Sequence, residues 1–481
     1  MKNQQRFFIV LVSIFIFLLV YSPHINYPFP FHIDEWHHIT EAIKLGEGDY
    51  SGGGIGYRIG FHVFLLGLSY FVNLISMYQF LPAIWAVFTG LVLFYVVYKK
   101  TDNYWIALFS MIFFASLKSN VNIEGLWFFT SLTFSIPFIF LYVFFFTEGI
   151  EKQNKKQILM SLAIMAFLVP VHSISVLFAI PFLFVYCLFH LAYVKKEWKF
   201  FSLFFIIPIL GIMLYSLLNH LSFLKSIGSI LGDLQFKKGW GVLEINNSFF
   251  EIYSLIGYLF AFLGVYSIWR VREFRKYLAY LLWPVFTLVS ILIFKMTGIS
   301  FLAPYQRIFY YLAISLPFLS AFGLYYLLNL KDNFIMNSSI RDKEYAKKFI
   351  SMVIIMLTVL FAVYSYYELP EQLKVYHLIE QKDYDSLRFL ENKSSGKLMA
   401  PVDISMASYA VSGKMPVGAM YFYGNRTKTE EFFSSGNCRF MNEVINQQKV
   451  KYVLSEKPID CNWNLIYNET NLIYSVNNVS S

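Results

Sequence analysis

Apolar residues fill most of the first 367 positions in runs that approach the length of a membrane-spanning helix. A helix needs about 20 mostly apolar residues to cross the hydrocarbon core. The pattern therefore predicts an α-helical polytopic membrane protein. The candidate runs are 7–21, 59–77, 80–98, 104–117, 126–146, 158–170, 174–194, 200–218, 251–269, 277–296, 307–328 and 349–367.

The basic loops indicate how many of these runs cross the membrane, because cytoplasmic loops carry an excess of Lys and Arg. With Lys2 and Arg6 inside and 59–77 crossing, five later basic loops would all fall outside. They all fall inside if 59–77 is an interfacial or re-entrant helix. We therefore predict about eleven crossings of the cell (plasma) membrane, with 7–21 as a retained signal anchor.

The chain changes character near residue 368. Residues 368–481 hold 12 Lys/Arg and 13 Asp/Glu, which is typical of a soluble segment. Patterns there predict a helix at Asp383–Asn392 and strands at Lys397–Val402, Val450–Ser455 and Leu472–Val476. The expected domains are a transmembrane domain, 1–367, whose first outer loop is 22–79, and a small extracytoplasmic α/β domain, 368–481. Cys438 and Cys461 lie in the second domain, and their pairing stays open.

Composition narrows the class of protein. The 481 residues are 57% hydrophobic and 14% charged, against about 25% charged in soluble domains. The net charge of +9 arises in the first 367 residues, which fits basic cytoplasmic loops. No basic patch alternates with aromatic residues, so nucleic acid is not an expected partner.

The most unusual polar stretch lies in the first outer loop, where Asp34 and Glu35 are flanked by His32, His37 and His38. Ionisable groups at a membrane edge are costly unless they have a function. A carboxylate there can act as a general base. The alternative is a helix start with Asp34 as N-cap. On a helix Asp34, His37 and His38 share one face, so a divalent metal held by these three is left open.

Four further residues are candidates at the expected outer face. Arg58 and Arg307 flank apolar helices, and each either binds a phosphate or snorkels or pairs with a loop acid. Glu124 is either a second carboxylate of a site or the acid at a helix N-terminus. His172, between two apolar runs, is either a packing or capping residue or faces the substrate.

This layout resembles the GT-C integral-membrane glycosyltransferases, which include protein mannosyltransferases, aminoarabinose transferases and oligosaccharyltransferase subunits, and it looks most like their microbial and archaeal members. The resemblance covers most of the chain. The motifs that carry it are Ile-Asp-Glu-Trp-His-His in the first loop, Gly-Tyr-Arg58-Ile-Gly-Phe-His before a short apolar helix, Lys99-Lys100 after a span, and Pro-Tyr305-Gln-Arg307 opening a late helix.

The resemblance implies a glycosyltransferase that uses a sugar on a polyprenyl (dolichyl) phosphate or diphosphate. Transfer to a glycan, lipid or protein acceptor would invert the anomeric carbon. Asp34 and Glu35 would be the catalytic acids, with Asp34 acting as base or orienting the acceptor. Arg58 and Arg307 would hold the leaving phosphate. Further substrate contacts would come from Tyr305, His172, Glu124 and His37, and no cofactor is required with certainty.

Three family features are missing. Ile59-Gly60 stands where two branches have Pro-Pro, the first two outer loops lack Asp-x-Asp, and the tail lacks Trp-Trp-Asp. The last two absences argue against an oligosaccharyltransferase and weaken the case for an obligatory metal. The alternative functions are a transporter or flippase, a polymerase or ligase of lipid-linked glycans, and a non-enzymatic assembly or adhesion protein.

Overall fold

The structure is a computed structural model of the chain. It describes residues 3–49, 58–120, 123–218, 222–225, 228, 235–237, 249–336, 343–366, 373–420 and 423–476. Within these ranges the chain is mostly helical, with two small sheets.

Helices account for most of the longer elements in these ranges. In chain order they are α1 Asn3–Tyr21, α2 Ile33–Glu47, α3 Ile59–Ser69, α4 Leu74–Met77, α5 Leu81–Thr101, α6 Tyr104–Ala115, α7 Ser131–Glu151, α8 Lys155–Leu188, α9 Leu191–Lys196, α10 Trp198–Leu218, α11 Leu255–Arg270, α12 Leu278–Thr297, α13 Tyr305–Met336, α14 Lys343–Tyr366, α15 Gln381–Glu391, α16 Ile404–Ser412, α17 Arg426–Ser435 and α18 Cys438–Gln448. The strands are β1 Gln235–Lys237, β2 Ile299–Phe301, β3 Lys397–Met399, β4 Val450–Ser455, β5 Asn464–Tyr467 and β6 Leu472–Ser475.

The chain divides into two compact units. The membrane unit comprises Met1–Ile25, Gly53–Phe61 and Phe80–Glu368. The second unit comprises Asn26–Gly52, His62–Gln79 and Leu369–Ser481. The predicted division at 367/368 places the whole first loop, 22–79, in the membrane part, whereas most of that loop groups with the C-terminal residues. A loop rich in polar and aromatic side chains can join a core formed by residues far along the chain, which a division made by position in the sequence cannot show.

Six helical segments of the described chain are long and apolar enough to cross a membrane: Asn3–His24, Leu81–Thr101, Ser131–Glu151, Lys155–Leu188, Phe274–Thr297 and Tyr305–Leu330. Four shorter apolar helices accompany them: Ile59–Ser69, Tyr104–Ala115, Trp198–Gly211 and Leu255–Arg270. The protein is therefore a multi-pass membrane protein. The count of eleven crossings stays a prediction. Helix α3 is about 16 Å long, too short for a core of about 30 Å, as expected of an interfacial helix.

Helix α8 is a hairpin rather than one straight rod. Near its start Ile158 packs against Gly149, and near its end the Tyr186 hydroxyl donates to Glu151 at 2.8 Å. Both ends of α8 thus lie at the same end of α7, so the chain reverses between them. The backbone leaves helical geometry at His172 (φ −158°, ψ 79°). The two separate apolar runs predicted at 158–170 and 174–194 are confirmed as the two legs of this hairpin.

Helices α11 and α13 approach at backbone distance. A side chain added at Gly264 would meet the carbonyl of Leu319, and one added at Gly323 would meet the carbonyl of Phe260. Small residues allow such close packing between helices in a membrane, where dispersion contacts rather than water exclusion stabilise the pair. This contact supports α13, which carries Arg307.

The second unit contains a four-stranded sheet in the order β3-β4-β6-β5. Strands β3 and β4 are parallel, and the other pairs are antiparallel. The predicted helix and all three predicted strands are confirmed within a few residues, while β5 and helices α16 to α18 were not predicted. Cys438 and Cys461 form a disulfide. Within this unit α16 packs against α2.

Candidate functional site

Backbone hydrogen bonds in the membrane unit position Glu124. Asn120 and Glu124 exchange both backbone hydrogen bonds at 2.9 Å, which closes a tight turn. Glu124 and Gly125 have positive φ values of 68° and 111°, and a side chain at Gly125 would collide with the backbone of Lys118 and Ser119. Glycine is therefore required at position 125, and the turn fixes the direction of the carboxylate beside it.

The Glu124 carboxylate is paired inside the membrane unit. It forms an ion pair with the Arg307 guanidinium and accepts a hydrogen bond from Thr130 Oγ1 at 2.5 Å. Glu124 is 1% exposed. Arg307 lies in the first turn of α13, as predicted. The sequence left two interpretations of Arg307, namely phosphate binding, and snorkelling or pairing with a loop acid. The structure has the pairing with a loop acid, and this pair fixes the guanidinium in place.

Arg58 and His172 belong to the same neighbourhood as Arg307. Both guanidinium charges interact electrostatically with the His172 ring, which is 4% exposed. The start of α3 packs on the turn of the α8 hairpin, because a side chain at Gly60 would lie 3.2 Å from the backbone of Pro170 and Val171. This contact brings Arg58, two residues earlier, to the turn that carries His172.

His172 is held by neighbouring hydroxyl groups. Its Nδ1 lies 2.7 Å from Ser175 Oγ, and Ser175 Oγ lies 2.8 Å from the Tyr311 hydroxyl. Tyr311 in turn interacts electrostatically with Arg307 and Glu124. Four residues singled out from the sequence therefore converge in the membrane unit: Arg58, Glu124, His172 and Arg307. We call them, with Ser175 and Tyr311, the arginine cluster.

Tyr305, two residues before Arg307, has a packing role in this structure. Its ring stacks on Phe294 at 3.9 Å between centroids and meets Phe309 edge-on at 4.9 Å. It is 7% exposed. These contacts anchor the first turn of α13, so Tyr305 supports the position of Arg307.

The acid pair Asp34–Glu35 lies in the second unit, at the start of α2. The alternative of a helix start is confirmed, but the N-cap is His32 and not Asp34: His32 accepts from the Asp34 N–H at 3.1 Å. Glu35 completes a capping box, because its Oε2 accepts from the N–H groups of Phe31 and His32 at 2.7 and 2.9 Å. The Glu35 carboxylate thus has a structural role, because it caps the helix. The Asp34 side chain is 12% exposed.

The polar face of α2 continues into a network within the second unit. His37 Nδ1 lies 2.9 Å from the Tyr423 hydroxyl, which donates to Glu41 Oε1 at 3.3 Å. The Lys44 ammonium lies 3.5 Å from the same Glu41 oxygen and 4.9 Å from the Tyr423 ring centroid. Burial raises the pKa of the Glu41 carboxyl, and Lys44 partly offsets this effect. These contacts link α2 to the C-terminal residues.

The arrangement of the three histidines bears on the metal hypothesis. His38 Nδ1 lies 2.9 Å from His62 Nε2, so these two rings share a hydrogen bond. His37 Nδ1 is engaged by Tyr423. In the part of the chain that the structure describes, no three His, Cys, Asp or Glu side chains converge as a metal site. Asp34, His37 and His38 do not fit a metal in this arrangement, and we derive no step through one.

Sequence reasoning missed several members of these clusters. Ser175 follows His172 by one helical turn, and Tyr311 follows Arg307 by one turn, so both share a face with a predicted residue. That spacing could have identified them. Glu41 follows His37 by four residues on α2, so the same spacing could have identified it as well. His62 and Tyr423 reach α2 only through tertiary packing, which no local pattern indicates.

Comparison with known proteins gives a fold but no close relative. No protein-family model matches the sequence, and no curated protein matches it. The oligosaccharyltransferase of Archaeoglobus fulgidus, tethered to an acceptor peptide, matches with a TM-score of 0.62 at 12% identity, over 95% of this chain and 69% of that chain. The same enzyme, AglB, with an inhibitory peptide and a dolichol-phosphate matches at 0.58 and 13% identity, over 95% and 70%.

A solved structure of a different protein matches over almost its full length. ArnT from Cupriavidus metallidurans in the apo state has a TM-score of 0.53 and 10% identity, over 97% of both chains. The chain therefore has the GT-C fold of membrane glycosyltransferases.

Proposed function

We propose that this protein is a glycosyltransferase that moves a sugar from a polyprenyl (dolichyl) phosphate to an acceptor at the outer side of the membrane. In this reaction the bond from the anomeric carbon to the phosphate oxygen breaks, and the phosphate leaves with the electron pair. An acceptor oxygen or nitrogen attacks from the opposite face and inverts the anomeric carbon. The acceptor proton passes to the Asp34 carboxylate.

The observation that carries this proposal is the convergence of Arg58, His172 and Arg307 in a protein with the GT-C fold. A guanidinium recognises phosphate through paired N–H donors. Preorganised positive groups stabilise a leaving group whose charge grows in the transition state. The arginine cluster is therefore suited to the phosphate of the donor.

The charge of the cluster favours a monophosphate over a diphosphate donor. The two guanidinium groups are offset by one carboxylate, Glu124, which is ion-paired to Arg307. A sugar phosphodiester carries one negative charge, which matches the remaining positive charge. A diphosphate carries two, and would be left with an uncompensated charge in a site of low polarity.

The solved structures of similar fold support the class of substrate. The Archaeoglobus fulgidus enzyme binds a dolichol-phosphate and peptides, and one of its structures contains zinc and sulfate. On the basis of these structures, we propose a lipid-phosphate donor for this protein as well. The acceptor is a glycan, a lipid or a protein.

Asp34 is the proposed base because Glu35 is fully buried and caps two backbone N–H groups, whereas the Asp34 carboxylate, 4.0 Å from His32 Nδ1, keeps some exposure. A general base must reach the acceptor, and Asp34 retains an exposed fraction of 12%. Glu35 then serves catalysis indirectly, by fixing the first turn of α2.

The test is a transfer assay with the purified full-length protein, dolichyl-phosphate sugars and a membrane acceptor extract. Arg307→Gln and Arg58→Gln should each lower kcat/KM about 100-fold, the usual effect of losing one transition-state donor. Arg270→Gln is the matched control, because Arg270 ends α11 and is bonded to the Tyr326 hydroxyl at 2.5 Å outside the arginine cluster.

Asp34→Asn should abolish transfer while the protein keeps its unfolding temperature. Wild-type turnover in Asp34→Asn would remove the role of this carboxylate. An equal loss in Arg270→Gln would show that the arginine effects report net charge rather than phosphate contact.

A further inference from the structure

The hydroxyl groups next to His172 form a chain that ends on the imidazole. Tyr311 is 1% exposed, and its ring stacks on Phe178 with 4.5 Å between centroids. Its hydroxyl lies 2.8 Å from Ser175 Oγ, which lies 2.7 Å from His172 Nδ1. The three side chains come from α13 and from both sides of the turn in the α8 hairpin, so the packing of these helices fixes them.

The surroundings indicate which way the protons point. Within the described ranges Ser175 is the only hydrogen-bond partner of the Tyr311 hydroxyl, so Tyr311 donates to Ser175. Ser135 donates to the Leu132 carbonyl at 2.6 Å and therefore has no proton for Ser175. Ser175 can give its own proton to His172 Nδ1 at 2.7 Å or to Ser135 Oγ at 3.2 Å. The shorter contact and the more basic acceptor both favour His172.

A proton received at Nδ1 determines the tautomer of the ring. A positive charge on an imidazole beside two guanidinium groups is unfavourable, so the ring is neutral. When Nδ1 of a neutral imidazole accepts, Nε2 carries the hydrogen. Among the residues described, no side chain or backbone group forms a hydrogen bond with His172 Nε2.

We propose that Ser175 and Tyr311 are positioning residues that hold His172 in the Nε2–H form, so that Nε2 donates a hydrogen bond to a phosphate oxygen of the donor. The phosphate as ligand rests on the proposed function, whereas the tautomer does not. The arginine cluster then supplies two charged groups and one neutral donor. The neutral donor adds a directional contact without adding to the positive charge of the site.

The tautomer is tested by ¹⁵N NMR on full-length protein with labelled histidine, with the His172 signals assigned from the spectrum of His172→Gln. Protonated and unprotonated imidazole nitrogens differ strongly in chemical shift. Wild type should show a protonated Nε2, Ser175→Ala should shift the ring toward the Nδ1–H form, and Tyr311→Phe should show a smaller shift. A His172 spectrum unchanged by Ser175→Ala would overturn the proposal.

The ligand contact is tested by binding of dolichyl phosphate, with dolichol as the phosphate-free probe. Ser175→Ala should weaken dolichyl phosphate about 10-fold and leave dolichol binding unchanged. Tyr311→Phe should weaken dolichyl phosphate binding less than Ser175→Ala does. Because Tyr311→Phe removes only one oxygen atom, it serves as the second test if Ser175→Ala fails to fold. Ser320→Ala is the matched control, because Ser320 forms a similar buried pair with the Tyr253 hydroxyl at 3.0 Å and should bind dolichyl phosphate as wild type does.

The two arms separate failure of this inference from failure of the proposed function. If wild type discriminates dolichyl phosphate from dolichol, but Ser175→Ala or Ser320→Ala behaves contrary to expectation, the positioning role is wrong and the function stands. If wild type binds no dolichyl phosphate, the proposed function and the phosphate contact are both wrong, and NMR alone decides whether Ser175 sets the tautomer.

Discussion

Asp34 and Glu35 are neighbours in the sequence but differ in their surroundings. Glu35 is 0% exposed and caps two backbone N–H groups. Glu35→Ala should therefore lower the free energy of unfolding by about 1–2 kcal/mol. Glu35→Gln, which keeps an acceptor oxygen, should lose less. Thermal unfolding of the full-length protein measures both, and equal stability of all three proteins would contradict the capping role.

His377 gives the second unit a dependence on pH. Its ring stacks on Tyr27 with 4.0 Å between centroids, and burial lowers its pKa, with Glu380 acting in the opposite direction. A lowered folded-state pKa means that the stabilising contribution is present above the ordinary value and is lost as pH falls through the folded value. Unfolding measured from pH 7.5 down to about pH 5 should show this loss.

His377→Phe keeps the stack on Tyr27 and removes the titrating group. The variant should lose less stability over the same pH range than wild type does. A loss as large as in wild type would assign the pH dependence to other groups. Asp383 cannot be the cause, because burial raises the pKa of its carboxyl and so favours the folded state as pH falls.

Individual residues show where sequence reasoning ends. The arginines, Glu124 and His172 were identified because charged groups beside apolar helices are rare. Ser175 and Tyr311 are ordinary residues in helices, and only their distances to His172 reveal a role. The N-cap of α2 was misassigned because a histidine can also accept from the backbone, a property that the usual preference for Asp does not include.

At the scale of elements, the contact between α3 and the α8 hairpin depends on Gly60. A methyl group there would press on Val171 and on the Pro170–Val171 backbone. Gly60→Ala should move the first turn of α3, and Arg58 with it, and so weaken dolichyl phosphate binding. Gly67→Ala is the matched control on the same helix, since nothing lies within 4 Å of that position.

The control has its own expected result. Gly67→Ala should bind as wild type and gain up to about 1 kcal/mol of stability from helix propensity. If Gly60→Ala also binds as wild type, the start of α3 adjusts without moving Arg58, and the close approach has no bearing on the ligand.

The elements were predictable to different degrees for physical reasons. Apolar runs identify candidate membrane-spanning helices well, because the thickness of the hydrocarbon core sets the length that such a run needs. The strand Val450–Ser455 was predicted to the residue, since β-branched and aromatic residues are concentrated there. Helices α17 and α18 are amphipathic and short, and their polar faces resemble loops.

At the scale of the whole molecule, the disulfide bears on the stability of the second unit and on the side of the membrane where that unit lies. Cys438 and Cys461 are 23 residues apart in the sequence. Cross-linking a loop of this length contributes about 3 kcal/mol to the free energy of unfolding. Cys438→Ser with Cys461→Ser should lower the stability of the second unit by about that amount. Disulfides persist in oxidising compartments, so the bond supports the expected extracytoplasmic side.

Counting thiols in the denatured protein checks the bond directly. Protein isolated from membranes and denatured without reductant should react with one equivalent of maleimide, at Cys187, the free cysteine. After reduction it should react with three, the total in the sequence. Three equivalents without reductant would contradict both the bond and the expected side.

The ion pair between Glu124 and Arg307 has a consequence for biogenesis. A guanidinium in the first turn of an apolar helix is costly in lipid, yet the chain supplies its carboxylate much earlier, in the turn before α7. When α13 leaves the ribosome, the loop that carries the partner of Arg307 has already been made and, in the expected topology, has reached the outer face of the membrane. Glu124→Gln should therefore act first on synthesis, as rapid degradation of a chain whose late helices fail to integrate, before any effect on sugar transfer can be measured.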